Sequence, residues 1–120
     1  FVAPALLLTS YTHPEYLEML TRYFTSAAPA ERGDAFLMRG TEGETVANAK
    51  RAQKIDWFHQ GEHKILVEKE QPVDVIPPLP ATNDAATTAL WIRAALAGEQ
   101  PVPAPIDEQV NQCIIISRNL

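Results

Sequence analysis

The sequence predicts an α/β fold: a partial parallel sheet flanked by helices, then a β-hairpin and two C-terminal helices. Three observations predict it. Residues 5–9 (Ala-Leu-Leu-Leu-Thr) and 35–38 (Ala-Phe-Leu-Met) are short continuous apolar runs, the form of strands buried on both faces. Between them Tyr16, Leu17, Leu20, Tyr23 and Phe24 recur at helical spacing. Strand, helix and strand over that distance make a βαβ unit, almost always right-handed.

The helix of that unit has a readable start. Thr12 and Glu15 have capping-box spacing, and Pro14 suits a first turn because its missing N–H costs nothing there. Residues 29–34 form a loop. The stretch after the second strand, Arg39-Gly40-Thr41-Glu42-Gly43-Glu44, lies beyond the strand's carboxyl end, where such sheets bind ligands. Residues 55–59, a turn at 60–63, and residues 64–69 read as a hairpin. Four prolines between 72 and 80 predict an extended connection of polyproline character. Thr82 or Asn83 then caps a helix over 84–97, with Leu90, Trp91 and Ala94 toward the core and Gly98 as its stop. After a second stiff link at 101–105, Ile106, Val110, Cys113 and Ile114 form one face of the last helix.

At 120 residues the chain makes one domain at most, and 46% apolar with 21% charged residues fits a globular protein. A net charge of −5 provides no global attraction to nucleic acid or anionic membrane, so any basic surface is local. One cysteine, Cys113, excludes an internal disulfide framework and suits the reducing cytoplasm. No apolar run approaches the roughly 18 residues that span a bilayer, and no membrane partner is expected. Phe1-Val2-Ala3-Pro4 is neither a start methionine nor a charged signal region, so the chain reads as part of a longer protein.

Three pieces in order carry a family resemblance. They are Thr12-His13-Pro14-Glu15-Tyr16, then Arg39 to Glu44 running on to Ala47-Asn48, and Ala86-Thr87-Thr88-Ala89 before Leu96-Ala97-Gly98. The chain resembles, over nearly all its length, the C-terminal α/β part of YbiB-type proteins. These are relatives of anthranilate phosphoribosyltransferase within glycosyltransferase family 3. The resemblance implies that residues 1–120 are the later portion of one such α/β domain. It places a helical, dimerising domain and any glycine-rich donor loop outside this sequence. In the enzymes the loop after this strand carries an Asp-Glu pair that holds Mg²⁺, a hard cation that prefers oxygen ligands. Thr45 and Val46 occupy those positions here, while Glu42 and Glu44 are the substitutes a register shift would offer.

YbiB-type proteins are non-specific nucleic-acid binders, so the resemblance implies sequence-independent DNA or RNA binding by a homodimer without a cofactor. Lys50, Arg51, Lys54, Lys64 and Lys69 place five of the ten basic residues within twenty positions, a local net charge of +2. Trp57, Phe58 and His59 lie among them, and aromatics interleaved with cations suit base stacking plus phosphate contact. The expected nucleic-acid contacts are Lys50, Arg51, Lys54 and Lys64; the expected anion loop is Arg39, Gly40, Thr41 and Gly43. The bland alternative is a hairpin with a solvated charged face and a core Trp57. No residue is assigned a catalytic role. The enzymatic alternative is a phosphoribosyltransferase with Glu42 or Glu44 on Mg²⁺, and a third is a relic that only folds and dimerises. His59 and His63 are four apart but separated by a turn at Gly61, which argues against a helical metal pair. His13 reads as a cap-region residue, Cys113 as an inert core thiol, and Pro77-Pro78-Leu79-Pro80 as linker.

Overall fold

The computed structural model describes residues 5–27, 33–40, 44–68 and 71–118. Strand β1 (Leu6–Tyr11) leads to helix α1 (Pro14–Arg22), a π-helical turn (Tyr23–Ala27) and strand β2 (Asp34–Arg39). Short strand β3 (Arg51–Ala52) precedes the hairpin of β4 (Ile55–His59) and β5 (Glu62–Val67). Strand β6 (Gln71–Pro72), helix α2 (Ala85–Leu96) and helix α3 (Ala104–Arg118) complete the chain. The main sheet has the order β1-β2-β4-β5, with β1 parallel to β2 and the other pairs antiparallel. The fold is α/β, as the apolar runs and the hairpin pattern predict.

Strand β2 is interior to the sheet and dry on both faces. Phe36 and Met38 join Ile55 and Ile116 on one face, while Ala35 and Leu37 join Phe58 on the other. Helix α3 covers the first face through Ile116 and Cys113; α1 and its π-helical turn cover the second through Leu17, Leu20 and Phe24. Burying Phe36 and Leu37 contributes about 1.5–3 kcal/mol each. By contrast β1 is half-buried, with Leu7 43% exposed, because among the described strands it pairs with β2 alone. The expectation that both strands are buried on two faces therefore holds for β2 and not for β1.

Helix α1 departs from its expected start. His13 is the N-cap and makes no side-chain cap bond, so Pro14 is N1 and Tyr16 is N3. Thr12 and Glu15 are thus one residue out of register for a capping box, and the Thr12 hydroxyl instead pairs with His13 Nδ1 at 2.9 Å. Leu17, Leu20 and Phe24 face the sheet, whereas Tyr16 and Tyr23 flank that stripe and remain exposed.

The hairpin turn is tighter than the expected span of 60–63. Gln60 (φ 50°) and Gly61 (φ 81°) alone connect the strands. Positive φ at both positions makes a type I′ turn, whose twist matches that of the flanking strands. A bulge between Ile55 and Asp56 lets the sequence neighbours Leu66 and Val67 both pack on the Phe36 face. β3 and β6 form a separate two-stranded ribbon, so Pro72 pairs with Arg51 rather than simply opening the proline-rich connection.

The C-terminal helices present different faces from those expected. Asp84, not Thr82 or Asn83, caps α2, its carboxylate accepting from the Thr87 N–H at 2.8 Å and from the Thr82 and Thr87 hydroxyls. No residue of α2 is buried and Leu90 is 66% exposed; the Trp91 indole donates to the Pro78 carbonyl at 3.0 Å, tying α2 to the proline-rich segment. Gly98 does end the helix, at φ 78°, with Glu99 N–H donating to Ala94 O and Gly98 N–H to Ala95 O. In α3 the buried stripe is Pro105, Gln109 and Ile116 with Cys113 packed beside it, whereas Val110 and Ile114 are exposed.

The capping bonds hold the exposed Asp84 carboxyl well down, at about 2 instead of 3.8. Its support of α2 is full above pH 4 and is lost as pH falls through about 2. An NMR pH titration is expected to show the Asp84 carboxyl and the Thr87 amide moving together with a midpoint near 2. A midpoint near 4 would contradict the cap.

Candidate functional site

The connection from β2 to β4 leaves the carboxyl end of the only parallel strand pair among the described residues. Arg39, exposed, ends β2 opposite Tyr11. Gly40 N–H then donates to the Tyr11 carbonyl at 2.8 Å. A Cβ on Gly40 would lie 3.0 Å from the Glu44 carbonyl oxygen and 3.0 Å from Ser10 Oγ, so a side chain here would push both neighbours back by a few tenths of an ångström. Thr41 and Gly43 of the expected anion loop, and Glu42, lie outside the described residues.

Past Glu44 the connection is held from above by α3. Gln109, 7% exposed, donates from Nε2 to the Thr45 carbonyl at 2.7 Å and accepts at Oε1 from the Ala47 N–H at 2.8 Å. Its Nε2 also contacts Met38 Sδ at 3.2 Å. Asn48 then folds the chain into a turn, its Oδ1 accepting from Lys50 N–H at 2.8 Å and its carbonyl from Arg51 N–H at 3.4 Å. Lys50 and Arg51 are exposed there, and neither makes an ion pair with a described carboxylate.

The other two expected cations are committed elsewhere. Lys54 Nζ lies 3.3 Å from Asp56 Oδ1, on the α1 side of the sheet. Lys64 Nζ sits 5.3 Å from the centroid of Trp57, on the α3 side, and 3.9 Å from Glu62. Lys50 and Arg51, consecutive in the chain, are thus both exposed, whereas Lys54 and Lys64 lie on opposite faces of the sheet. The interleaved aromatics are equally engaged. Phe58 is buried and stacked on His63 at 4.6 Å, and Trp57 is half-buried beneath Lys64.

Two buried carboxylates, which the residue pattern did not single out, organise the hairpin. Asp34, 4% exposed, accepts from Trp57 Nε1 at 2.7 Å and lies 2.7 Å from His59 Nδ1. A carboxylate only accepts, so the His59 proton sits on Nδ1. Asp56, fully buried, holds His63 Nε2 at 2.7 Å and Lys54 through the same oxygen; its Oδ2 has no hydrogen-bond partner among the described residues. His59 and His63 therefore serve carboxylates on opposite faces of the sheet rather than converging on one point. The signal was an aspartate in each of two otherwise apolar strands.

Beneath the connection, Met38, Gln53, Ile55 and Glu108 line a cavity of about 20 Å³, room for one water molecule. Gln53 Oε1 there is buried without a hydrogen-bond partner among the described residues. Burial raises the Cys113 thiol above its ordinary range of 9.0, in keeping with an inert packing residue. Among the described residues no three His, Cys, Asp or Glu side chains converge as a metal site. Val46 has no side-chain oxygen and neither residue supplies a carboxylate, so this pair lacks the charged oxygen ligands of an Asp-Glu pair.

These features define a mixed-sheet α/β chain with a clamped, basic-tipped connection at the end of its parallel strands. Among curated sequences the chain is similar to the uncharacterized protein YbiB of Escherichia coli (strain K12). The two are 36% identical over 111 residues, which is 92% of this chain and 33% of YbiB. The chain thus spans about a third of the length of the curated relative it matches. No protein-family profile matches it. Among the described residues, no helix is long and apolar enough to cross a membrane.

Two substitutions test this geometry. Gly40→Ala is expected to lower stability by about 1–3 kcal/mol, because the added methyl meets backbone on one side; urea unfolding measures it. Asp34→Ala is expected to cost about 1–3 kcal/mol by leaving the Trp57 N–H unpaired, with a change in native tryptophan fluorescence. A variant as stable as wild type would contradict the buried pairing.

Proposed function

We propose that this chain belongs to a sequence-indifferent nucleic-acid-binding protein of the YbiB type, a relative of anthranilate phosphoribosyltransferase without phosphoribosyl transfer. The reading includes a cytoplasmic homodimer that associates through a region outside this sequence. One observation carries the contact: Lys50 and Arg51 are exposed side by side on the connection that leaves the parallel strands. Their charges reach solvent without a described carboxylate partner, which suits phosphate contact. Such contacts position a nucleic acid without reading its bases. Lys54 and Lys64 contribute less, because Asp56 and Trp57 hold them.

The test is a salt titration of binding to a fluorescent mixed-sequence oligonucleotide by the intact polypeptide. Wild type is expected to bind any sequence, with affinity falling steeply as salt rises. Changing Lys50 and Arg51 together to Ala is expected to reduce the log–log slope by about 1.4–1.8, the loss of two phosphate contacts. Lys54→Ala is expected to leave the slope unchanged and to lower stability. Absence of binding at low salt would sink the reading, and an unchanged slope in the double variant would move the contact off this connection.

A further inference from the structure

We propose that Gln109 is a positioning residue for the Lys50–Arg51 contact, acting through the backbone it clamps. The inference rests on the nucleic-acid reading and adds to it a residue that is itself too buried to touch a ligand.

Gln109 offers two N–H donors and one carbonyl acceptor. Its Nε2 reaches Thr45 O and Met38 Sδ, and its Oε1 takes the Ala47 N–H. Donor and acceptor are thus both spent on the same short piece of backbone, 62 and 64 residues away in sequence. A glutamate could accept from Ala47 but not donate to Thr45, and an apolar residue could do neither. The requirement for an amide in an otherwise apolar helix stripe is therefore specific to holding this connection.

What the clamp holds is the approach to the basic turn. Ala47 is followed directly by Asn48, whose side chain and carbonyl receive the N–H groups of Lys50 and Arg51. The cations themselves enter the two-residue β3–β6 ribbon: Arg51 pairs with Pro72, and Lys50 O accepts from Val73 N–H. The turn is consequently held at two places, by the Gln109 amide at Thr45 and Ala47 and by the very short ribbon at Lys50 and Arg51. A ladder of two residue pairs is a weak anchor by itself, and ordering the turn further on binding would cost conformational entropy. With the amide in place, that cost is met on folding, and the two cations meet phosphate already oriented.

Gln109→Met keeps length and volume while removing the clamp, and Gln109→Asn keeps the amide while shortening its reach. Both are assayed in the intact polypeptide by the salt titration, with circular dichroism reporting the fold. The expected result is a folded variant that binds about tenfold more weakly, with a salt slope lowered toward that of the Lys50→Ala/Arg51→Ala double variant. Adding Gln109→Met to that double variant is expected to weaken binding no further. A folded variant with wild-type affinity and slope, or a fully additive loss, would overturn the proposal, since a merely structural role predicts a stability change alone. Hydrogen exchange at the Ala47 amide separates the two layers of inference. Protection that is present in wild type and lost in both variants, in a wild type that fails to bind nucleic acid, would leave the clamp standing and remove both the nucleic-acid reading and this role for it. Equal exchange in wild type and variants would overturn the clamp itself.

Discussion

Strand β2 has no wet side. From Asp34 to Met38 every side chain is buried, so each neighbour must offer either apolar surface or a hydrogen-bonding partner of the right kind. The two flanking helices meet the first demand. The second falls on the ends of the strand: Trp57 and His59 satisfy Asp34 at its start, and Gln109 lies against Met38 near its finish. The rest of the arrangement is a consequence of placing this strand between α1 and α3.

The buried aspartates also specify register. Asp34 joins β2 to β4 through Trp57 and His59 on one face, and Asp56 joins β4 to β5 through His63 on the other. Because side chains alternate, a slip of one residue would turn Asp56 into the Phe36 cluster and Trp57 out of it. A carboxylate in an apolar cluster without a partner is costly, so the alternative pairings are disfavoured. The hairpin is thus fixed by a type I′ turn at one end and by ion and hydrogen-bond pairs across both faces.

On the proposed nucleic-acid reading, this rigidity bears on function through the connection that leaves β2. Its first residue, Gly40, is pressed against Ser10, its middle is clamped by α3, and its tip carries two exposed cations. In a chain of net charge −5, a contact with phosphate depends on such local presentation rather than on the overall field. Cations held in ion pairs, such as Lys54, have already exchanged water for a protein partner and have less to gain from phosphate.

The sequence by itself determined the type and order of the main-sheet strands and the three α-helices, but not the β3–β6 ribbon or the π-helical turn. Continuous apolar runs at 6–8 and 35–38, the Gln60-Gly61 turn, and Gly98 each act through local backbone or solvent preferences that neighbours do not reverse. It also led to the connection after β2 as the place to look. What only the tertiary structure decided was which face each element buries and which polar groups find one another. Helix α3 is rotated so that Gln109, rather than Val110, lies inside, because the backbone at Thr45 and Ala47 needs an amide there. Asp34 and Asp56 are internal because Trp57, His59, His63 and Lys54 complete them from other positions in the chain. Helix α2 keeps Leu90 in solvent because it rests on the proline segment and not on the sheet. Such pairings join residues far apart in sequence, and no local pattern encodes a partner that arrives only when the chain has folded.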